Sequence, residues 1–387
     1  MTPPWASALR LKLTPGLGLR RCRVLLDALG GCAQVLDTPD GVLREALGAA
    51  LWRALRQTPP DWAQAQDHIR HWLGSAPPGV CHTVLVWGDA AYPTALTELP
   101  DPPLLLFVTN AQADPVGTWP AAVAVVGSRG ATPQGLALAT RWARGLADAG
   151  WCVASGLAHG IDAAAHAGAL QSARTACLTL AAMGTGPDRV YPSGHADLKA
   201  RIVARGRCVT EQLPRVPARP MHFPLRNRLL VALSSGVLVI EADLGSGSLI
   251  SAQCALDQGR EVMAVPGSVL SPQSRGCHAL IRQGATLVTE VAEVLDALPR
   301  AAATVSATRA AAQGELVWGD APAASDDPTP DRLQAMRHAL GHDPLPVDVL
   351  QQRLAWPMAD LRAQLQDLEW RGQLARLPGD RVQWLGA

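Results

Sequence analysis

The stretch "VAVVGSRGATPQG", residues 123–135, places a glycine-containing loop between an apolar run and the start of a helical pattern. Gly127 allows the chain to turn sharply after a buried strand, and Thr132 is suited to cap the helix that follows. The free amides of such a loop, next to the charge of Arg129, favour a bound anion. We therefore predict a strand–loop–helix unit in which Gly127, Ser128 and Arg129 bind a ligand. The alternative is a simple turn with a solvated arginine. A dinucleotide site is disfavoured because the GxGxxG pattern is absent.

The same alternation of strand and helix continues as far as residue 298. Further apolar strands are predicted at "WCVASG", "TACLTLAAMG", "CVTEQL", "VLVIEA", "EVMAVPG" and "ATLVTE". Buried strands that alternate with helices are typical of a parallel sheet covered on both faces. We therefore predict an α/β fold with an extended Rossmann-like parallel sheet core, in which ligands bind beyond the carboxyl ends of the strands.

The regions on either side of this core have different patterns. The first 75 residues contain short helical patterns, and "LTPGLGLRRCRVLLDALGG" fits a small helical domain of the SAM or helix-hairpin-helix kind. Such a domain either holds a DNA phosphate at its turn or serves only for packing. The end of the chain has the outline of a winged helix, with three helices and a hairpin. The predicted domains are 1–75 (helical), 80–298 (core), 299–330 (flexible linker, rich in Ala, Ser, Thr, Asp and Pro) and 331–387 (winged helix).

Composition limits the classes of function. The formal net charge of the 387 residues is +1, so any anion site must be built locally by specific residues. The eight cysteines show no CxxC spacing, which argues against a zinc site and against a disulfide framework. No apolar run reaches the roughly 20 residues that cross a bilayer. We expect a cytoplasmic protein with no metal, no cofactor and no membrane partner.

A second loop, "SGLAHGIDAAAHAGAL", combines a serine, an aspartate and a histidine. Asp162 is predicted to cap the next helix, and His166 lies four residues later on the same helical face. A hydrolase triad is one interpretation, but Ser155 lacks the GxSxG elbow that such a nucleophile needs. The favoured interpretation is that Asp162 and His166 form a local structural pair.

The stretch "HFPLRNRLL" suggests a cradle for a nucleotide. If a helix begins near Phe223, then Phe223, Arg226 and Asn227 share one face, since residues three and four apart are neighbours. Stacking a base on an aromatic ring contributes about 1–3 kcal/mol and tolerates any base. Arg228 points away from this face, and we expect it to pair with an acid such as Glu241. The alternative is that Phe223 covers the core while the arginines form surface ion pairs.

A further loop, "EADLGSGSLISAQ", follows another predicted strand. Glu241 ends the strand with a structural role, and Gly245, Ser246 and Gly247 open a helix whose free amides face the site. Several loops at one sheet edge thus present amides and arginines without a convincing acid–base pair. This combination suits the binding of a phosphate chain better than the breaking of a bond, so we predict no catalytic residues.

As a set, these motifs resemble the bacterial DNA-processing protein A family, also called DprA or Smf. The matching stretches are collinear with the family's motifs, and they are "VAVVGSRGATPQG", "VASGLAHGIDAAAHAGAL", "GTGPDRVYP", "HFPLRNRLL", "SGSLISAQCALDQGREVMAVPGS" and "GCHALIRQGA". The resemblance covers about residues 80–298. The two end regions resemble the family's optional helical and winged-helix modules.

The resemblance implies a homodimer that binds and protects single-stranded DNA and loads the recombinase RecA during natural transformation. Single-stranded DNA-binding protein is a further partner of this kind of activity. By motif, the DNA contacts fall to Arg129, Phe223, Arg226, Asn227 and Arg228.

Two positions depart from the family's pattern, since Ser193 and His159 stand where many members carry basic residues. The competing hypothesis is a Rossmann-like nucleotide hydrolase of the phosphoribohydrolase type. Such enzymes resemble PGGxGTxxE, and the nearest stretch here lacks the second glutamate. The sequence therefore favours a binding protein over an enzyme.

Overall fold

The computed structural model describes most of the chain. The described residues are 3–114, 116–299, 336, 339–340, 345–354, 356, 361, 364–365, 368–369, 374–377 and 381–384. The chain divides into two compact units, residues 1–305 and 306–387. The predicted linker at 299–330 lies outside the described residues apart from residue 299, so it stays a prediction.

The first unit is built on a nine-stranded sheet with the order β1-β2-β6-β5-β4-β3-β7-β8-β9. The strands are β1 Val80–Val86, β2 Leu105–Ala111, β3 Ala122–Val126, β4 Cys152–Ser155, β5 Thr179–Ala182, β6 Arg207–Thr210, β7 Gly236–Val239, β8 Glu261–Ala264 and β9 Thr286–Leu287. All neighbours from β6 to β9 in this order are parallel. The hairpin of β1 and β2 adds two antiparallel strands at one edge. The predicted Rossmann-like parallel core is confirmed, and the hairpin extends it.

Helices connect the strands of the core and cover the sheet. They are α6 Thr94–Thr97, α7 Pro133–Asp148, α8 Ile161–Ala169, α9 Ala196–Arg205, α10 His222–Ala232, α11 Gly247–Asp257, α12 Arg275–Arg282 and α13 Val291–Ala297. Thr132 caps α7 as predicted, because its hydroxyl accepts a hydrogen bond from the amide of Gly135 at 3.0 Å. A loop of six residues, 127–132, thus separates β3 from a well-defined helix start.

Both faces of the sheet are buried. Alternate residues of a strand point to opposite faces, and β3 shows this directly. Ala124 and Val126 pack into one hydrophobic cluster, whereas Val123 and Val125 pack into another on the opposite face. This is why the strand is a continuous apolar run rather than an alternating one.

The N-terminal region consists of helices that pack on the edge of the same sheet. They are α1 Ala6–Leu13, α2 Leu19–Leu29, α3 Cys32–Asp37, α4 Asp40–Arg56 (kinked at Gly48) and α5 Trp62–Gly74. Trp72 stacks on His82 of β1 at 4.4 Å between ring centroids and meets Phe107 of β2 edge-on at 5.4 Å. The boundary predicted at residue 75 marks the change from helices to strands, but the two sides share one hydrophobic cluster.

The second unit contains a three-stranded sheet with the order β10-β12-β11. Its described elements are β10 Leu345–Pro346, α14 Val347–Leu354, β11 Leu374–Leu377 and β12 Arg381–Trp384. The two last strands pair antiparallel, with Leu377 opposite Arg381, so the predicted hairpin is present. Its turn, predicted at residues 378–380, lies outside the described residues. Leu350 and Val382 are buried in a common hydrophobic cluster, as a helix packed on a small sheet requires.

The order of the strands defines where a ligand can bind. β3 lies between β4 and β7, so the chain leaves β3 toward one side of the sheet and later returns to the other side. In open parallel sheets, such a topological switch point opens a crevice beyond the carboxyl ends of the strands. The loops that follow β3 and β7 therefore border the expected site.

Candidate nucleic-acid interface

An open cleft of about 660 Å³ lies at this switch point, and we call it the switch-point cleft. It is bordered by the loops after β3, β4 and β7 and by the first turns of α10 and α11. Nine of the ten residues predicted to bind DNA line it: Gly127, Ser128, Arg129, Phe223, Arg226, Asn227, Gly245, Ser246 and Gly247. The structure therefore brings together motifs that are up to 120 residues apart in the sequence, counted from Gly127 to Gly247.

The aromatic part of the cleft joins two loops and the first turn of α10. The guanidinium carbon of Arg129 lies 5.6 Å from the centre of the Phe223 ring. The ring of Tyr191 lies 5.2 Å from the Phe223 ring at an angle of 42°. Phe223 is half-buried and Tyr191 is 49% exposed, so both rings offer surface to a ligand. The arginine can bind a phosphate of a nucleotide while the two accessible rings stack on the base of that nucleotide.

Tyr191 was not predicted as a site residue. The sequence carried one signal, because the chain has only two tyrosines and Tyr191 stands in the motif "GTGPDRVYP". The other tyrosine, Tyr92, is buried, and its hydroxyl donates to the carbonyl of Pro103 at 2.7 Å. Helical spacing could not find Tyr191, since it lies on a loop that only the tertiary fold brings to Phe223.

Arg226 forms part of the cleft wall from a buried position. Only 6% of it is exposed, and its Nη1 donates to the carbonyl of Ala182 at 2.6 Å. Its guanidinium lies against Gly156, where a Cβ atom would come within 2.1 Å of Nη1. Burial lowers the pKa of Arg226, and the nearby Asp162 carboxyl opposes that shift. Its Nε has no hydrogen-bond partner among the described residues. The guanidinium of Arg226 therefore keeps one unpaired N–H donor beside the cleft.

Arg228 does not line the cleft. Its side chain is buried and forms ion pairs with Glu211 and with Asp101, the latter at 3.6 Å. The predicted pairing with Glu241 is wrong. The predicted direct contact with DNA is not available to Arg228 in this position, because α10 turns it away from the face that carries Phe223. The helical spacing correctly placed Arg228 on a different face of α10 from Phe223, but it could not identify the acidic partners of Arg228.

Glu241 has the structural role that was predicted for it. Its carboxylate accepts hydrogen bonds from the amide of Thr132 at 2.9 Å and from the hydroxyl of Thr132 at 2.6 Å. Its carbonyl accepts a hydrogen bond from the amide of Ser128 at 2.7 Å. Glu241 therefore holds the loop after β3 at both ends and fixes the position from which Arg129 extends.

The loop after β4 is closely packed against the loop after β3. Gly160 has a φ of 74°, and a Cβ atom there would lie 2.2 Å from the carbonyl oxygen of Ser128. Only glycine satisfies both the left-handed backbone and the close approach. This contact explains why a glycine precedes α8, and it sets the spacing between the two loops.

The predicted pair of Asp162 and His166 is wrong, and so is the helix-capping role of Asp162. Gly160 occupies the N-cap position, and the Asp162 carboxylate instead accepts hydrogen bonds from the amides of Gly156 (3.2 Å) and Ala158 (3.3 Å). His166 is hydrogen-bonded through Nδ1 to the hydroxyl of Thr179 at 2.6 Å. Burial raises the pKa of Asp162 and lowers the pKa of His166 to about 3.

The hydrolase-triad interpretation finds no support in this geometry. The hydroxyl of Ser155 donates to the carbonyl of Val125 at 2.7 Å and is fully buried. His166 is bonded to Thr179 and not to this serine. The three residues stabilise the sheet and its loops, and they do not form a nucleophile with a base.

The loop after β7 presents the start of α11 to the cleft. Ser246 caps this helix and accepts a hydrogen bond from the amide of Ser248 at 3.3 Å. The N-terminal end of an α-helix carries partial positive charge, which complements an anion. Two acids, Asp162 and the exposed Asp243, also line the cleft, so its positive potential is local to Arg129, Arg226 and the helix start.

In the described part of the chain, no group of three or more His, Cys, Asp or Glu side chains is arranged to hold a metal ion. The helices within the same residues are all too short or too polar to span a bilayer.

Fold and site together define a Rossmann-like protein with a cationic, aromatic cleft at its switch point. Comparison with known proteins identifies the family. The profile of the family "DNA recombination-mediator protein A" matches residues 83–299, and that of the "DprA winged helix domain" matches residues 320–380. The chain belongs to the DprA/Smf family of DNA recombination-mediator proteins. The predicted fold class, including the C-terminal winged helix, is confirmed.

Individual relatives support this assignment. The chain is 36% identical to protein Smf of Escherichia coli over 347 residues, which covers 85% of this chain and 86% of that protein. It is 42% identical to DNA processing protein DprA of Streptococcus pneumoniae over 207 residues, 54% of this chain and 71% of that protein. The crystal structure of the S. pneumoniae protein superimposes with a TM-score of 0.65 at 32% identity, covering 77% of this chain and 99% of that one.

Proposed function

We propose that this protein binds single-stranded DNA in the switch-point cleft and acts as a recombination mediator that loads RecA onto the strand. The observation that carries the proposal is the contact of Arg129 with the ring of Phe223, with Tyr191 beside them. Single-strand sites combine positive groups for the backbone with aromatic faces for the bases, and this cleft contains both.

The arrangement favours single strands over duplexes. Bases in a duplex are already stacked on each other, so their faces are not accessible to Phe223 or Tyr191. Duplex binding without base contacts requires a broad positive surface, and the formal net charge of this chain is only +1. A cleft with two accessible rings and few charges therefore discriminates in favour of unpaired nucleotides.

The hydrogen bonds of Glu241 and Asp162 favour a protein that binds DNA without catalysing a reaction. A phosphoribohydrolase needs a catalytic glutamate, and the carboxylate of Glu241, in the corresponding loop, already accepts two hydrogen bonds from Thr132. Asp162 is occupied by two backbone amides. Incubation with nucleoside monophosphates separates the two functions, because release of free base would support the hydrolase and contradict the binding protein.

The proposed loading of RecA rests on membership of the DprA/Smf family. A recombination mediator must hold a single strand and then transfer it to the recombinase. We propose that this chain does so as a homodimer, during natural transformation, on strands that single-stranded DNA-binding protein would otherwise cover.

The experiment that tests the proposed function measures affinity for matched single- and double-stranded oligonucleotides at several salt concentrations. We expect clear preference for the single strand and an affinity that falls with salt, with a slope of about −0.7 per neutralised phosphate. In a second step, the ATPase activity of RecA on DNA covered by single-stranded DNA-binding protein should start sooner when the full chain is added. Equal affinity for both DNA forms would contradict the proposal.

A further inference from the structure

A second groove lies beside the switch-point cleft, and we call it the alanine groove. It has a volume of about 660 Å³, and Arg129 lines both it and the cleft. Its floor is the exposed side of α8, and its walls come from the loop after β3, from α7 and from α9. The lining residues are Arg129, Ala131, Leu136, His159, Gly160, Ala163, Ala164, Ala167, Leu198 and Arg201. None of these residues, all within the described part of the chain, is acidic.

The alanine groove carries two guanidinium groups. Arg129 is shared with the cleft, and Arg201 of α9 contributes a second guanidinium that is 52% exposed. The acid nearest to Arg201 is Asp197, at 4.0 Å and 87% exposed. An ion pair of this length at an exposed site is weak, so Arg201 remains available to another anion.

His159 also lines the alanine groove, and its ring is held in place. Its ring packs edge-on against the ring of His195, with 4.8 Å between the centroids. His195 is in turn fixed by a hydrogen bond between its Nδ1 and the carbonyl oxygen of Leu157 at 3.0 Å. A positioned imidazole presents both a hydrogen-bonding nitrogen and a flat face, which suit the phosphate and base of a nucleotide.

We propose that the alanine groove holds the continuation of the same single strand after it passes Arg129. The proposal rests on the proposed function of the switch-point cleft and extends it. Three observations favour this occupant: the two sites share Arg129, the second has positive groups without a lining acid, and its floor of methyl groups accepts sugars and base faces. A strand that leaves the cleft past Arg129 would therefore reach the side of the molecule that carries His159 and Arg201.

The test compares oligothymidylates of graded length, from about 4 to about 16 nucleotides, the range of footprints of single-strand binding grooves. The affinity of the wild-type chain should keep rising after the cleft is filled. Arg201→Ala should lower the affinity for long oligonucleotides by about threefold to tenfold, with a salt slope shallower by about 0.7, and leave short ones unchanged. His159→Ala should act in the same direction.

The chain offers a matched control in Arg144. It is 57% exposed and pairs with Asp148 one helical turn away at 3.6 Å, much as Arg201 pairs with Asp197, but it lines neither the cleft nor the groove. Arg144→Ala should leave the affinity unchanged at every length. Thermal denaturation of each variant verifies that the fold is intact.

The outcomes separate the two proposals. If Arg129→Ala weakens all oligonucleotides while Arg201→Ala and His159→Ala weaken none, the strand does not enter the groove and this inference is overturned. An equal effect of Arg201→Ala on short and long oligonucleotides also overturns it, because the groove would then not be reached only by longer strands. If the wild-type chain binds no single strand, the proposed function itself fails.

Discussion

Arg129 and Phe223 come together from two separate motifs, with the guanidinium carbon of the arginine 5.6 Å from the centre of the phenylalanine ring. Arg129 extends from the loop after β3, whose position is fixed by Glu241 through the amide of Ser128. Phe223 lies in the first turn of α10. Because the two residues approach at the topological switch point, a positive group and an aromatic face are available to one ligand there.

The ring of Phe223 is expected to contribute to affinity without reading the sequence. Replacement by alanine should weaken binding by about 1–3 kcal/mol on oligonucleotides of any composition, because stacking tolerates every base. Fluorescence anisotropy with labelled dT, dC and mixed oligonucleotides measures this. Phe223→Tyr keeps the ring and should retain most of the affinity. Unchanged affinity in a folded Phe223→Ala variant would refute the stacking role.

Arg129 is expected to act through a phosphate. Arg129→Ala should lower the affinity and reduce the salt slope by about 0.7, the value for one phosphate of a single strand. Titrations at four or more salt concentrations measure that slope. If the variant instead loses the same factor of affinity at all salt concentrations, Arg129 acts by shaping the loop and not by neutralising DNA.

Arg228 is expected to affect stability and not the contacts with DNA. Arg228→Ala leaves the carboxylate of Glu211 buried without its partner, and removal of one member of a buried ion pair costs about 3–5 kcal/mol. Urea denaturation measures the free energy of unfolding. Arg260→Ala is the control, since Arg260 pairs with the exposed Glu98 at 3.9 Å. Its replacement should lower the free energy of unfolding by less than about 1 kcal/mol. A variant of Arg228 with normal stability but lost DNA affinity would contradict this assignment.

The buried imidazole of His166 is expected to make the free energy of unfolding depend on pH in a specific way. Burial lowers its pKa from 6.5 to about 3, so the unfolded chain takes up a proton at this site before the folded chain does. Its contribution to stability is therefore complete above pH 6.5 and is lost as the pH falls toward 3, by up to about 1.4 kcal/mol per pH unit.

The comparison of two variants isolates this effect. His166→Asn should be less stable at neutral pH but should show a flatter fall in the free energy of unfolding below pH 6.5. His71→Asn, which replaces an exposed imidazole on α5, is the control for the loss of a histidine elsewhere in the chain. If the pH dependence of His166→Asn equals that of the wild-type chain, the buried imidazole is not the group that titrates.

The parallel core could be predicted from the sequence because its strands are buried on both faces. Val123 to Val126 form an uninterrupted apolar run, and the strands on either side, β4 and β7, are likewise buried along their whole length. The antiparallel hairpin of β1 and β2 was not predicted. β1 is only partly buried along most of its length and therefore lacks the same continuous apolar signal.

Helical spacing could predict which site residues share a face of a helix. It could not predict contacts between residues that are far apart in the sequence. Helical spacing correctly placed Phe223 and Arg226 on one side of α10. The same spacing could not identify Asp101 as a partner of Arg228, since that contact spans more than a hundred residues. It also could not find Tyr191, which lies on a loop without periodicity.

Photocrosslinking tests the central claim, that single-stranded DNA occupies the switch-point cleft, most directly. The full chain would be irradiated with an oligothymidylate that carries 5-iododeoxyuridine, and the crosslinked residues would be identified by mass spectrometry. We expect crosslinks at Tyr191 and Phe223, because these rings are accessible at the cleft, and we expect unlabelled single strands to suppress them. Crosslinks confined to residues 331–387 or to the N-terminal helices, with none at the cleft, would contradict the account.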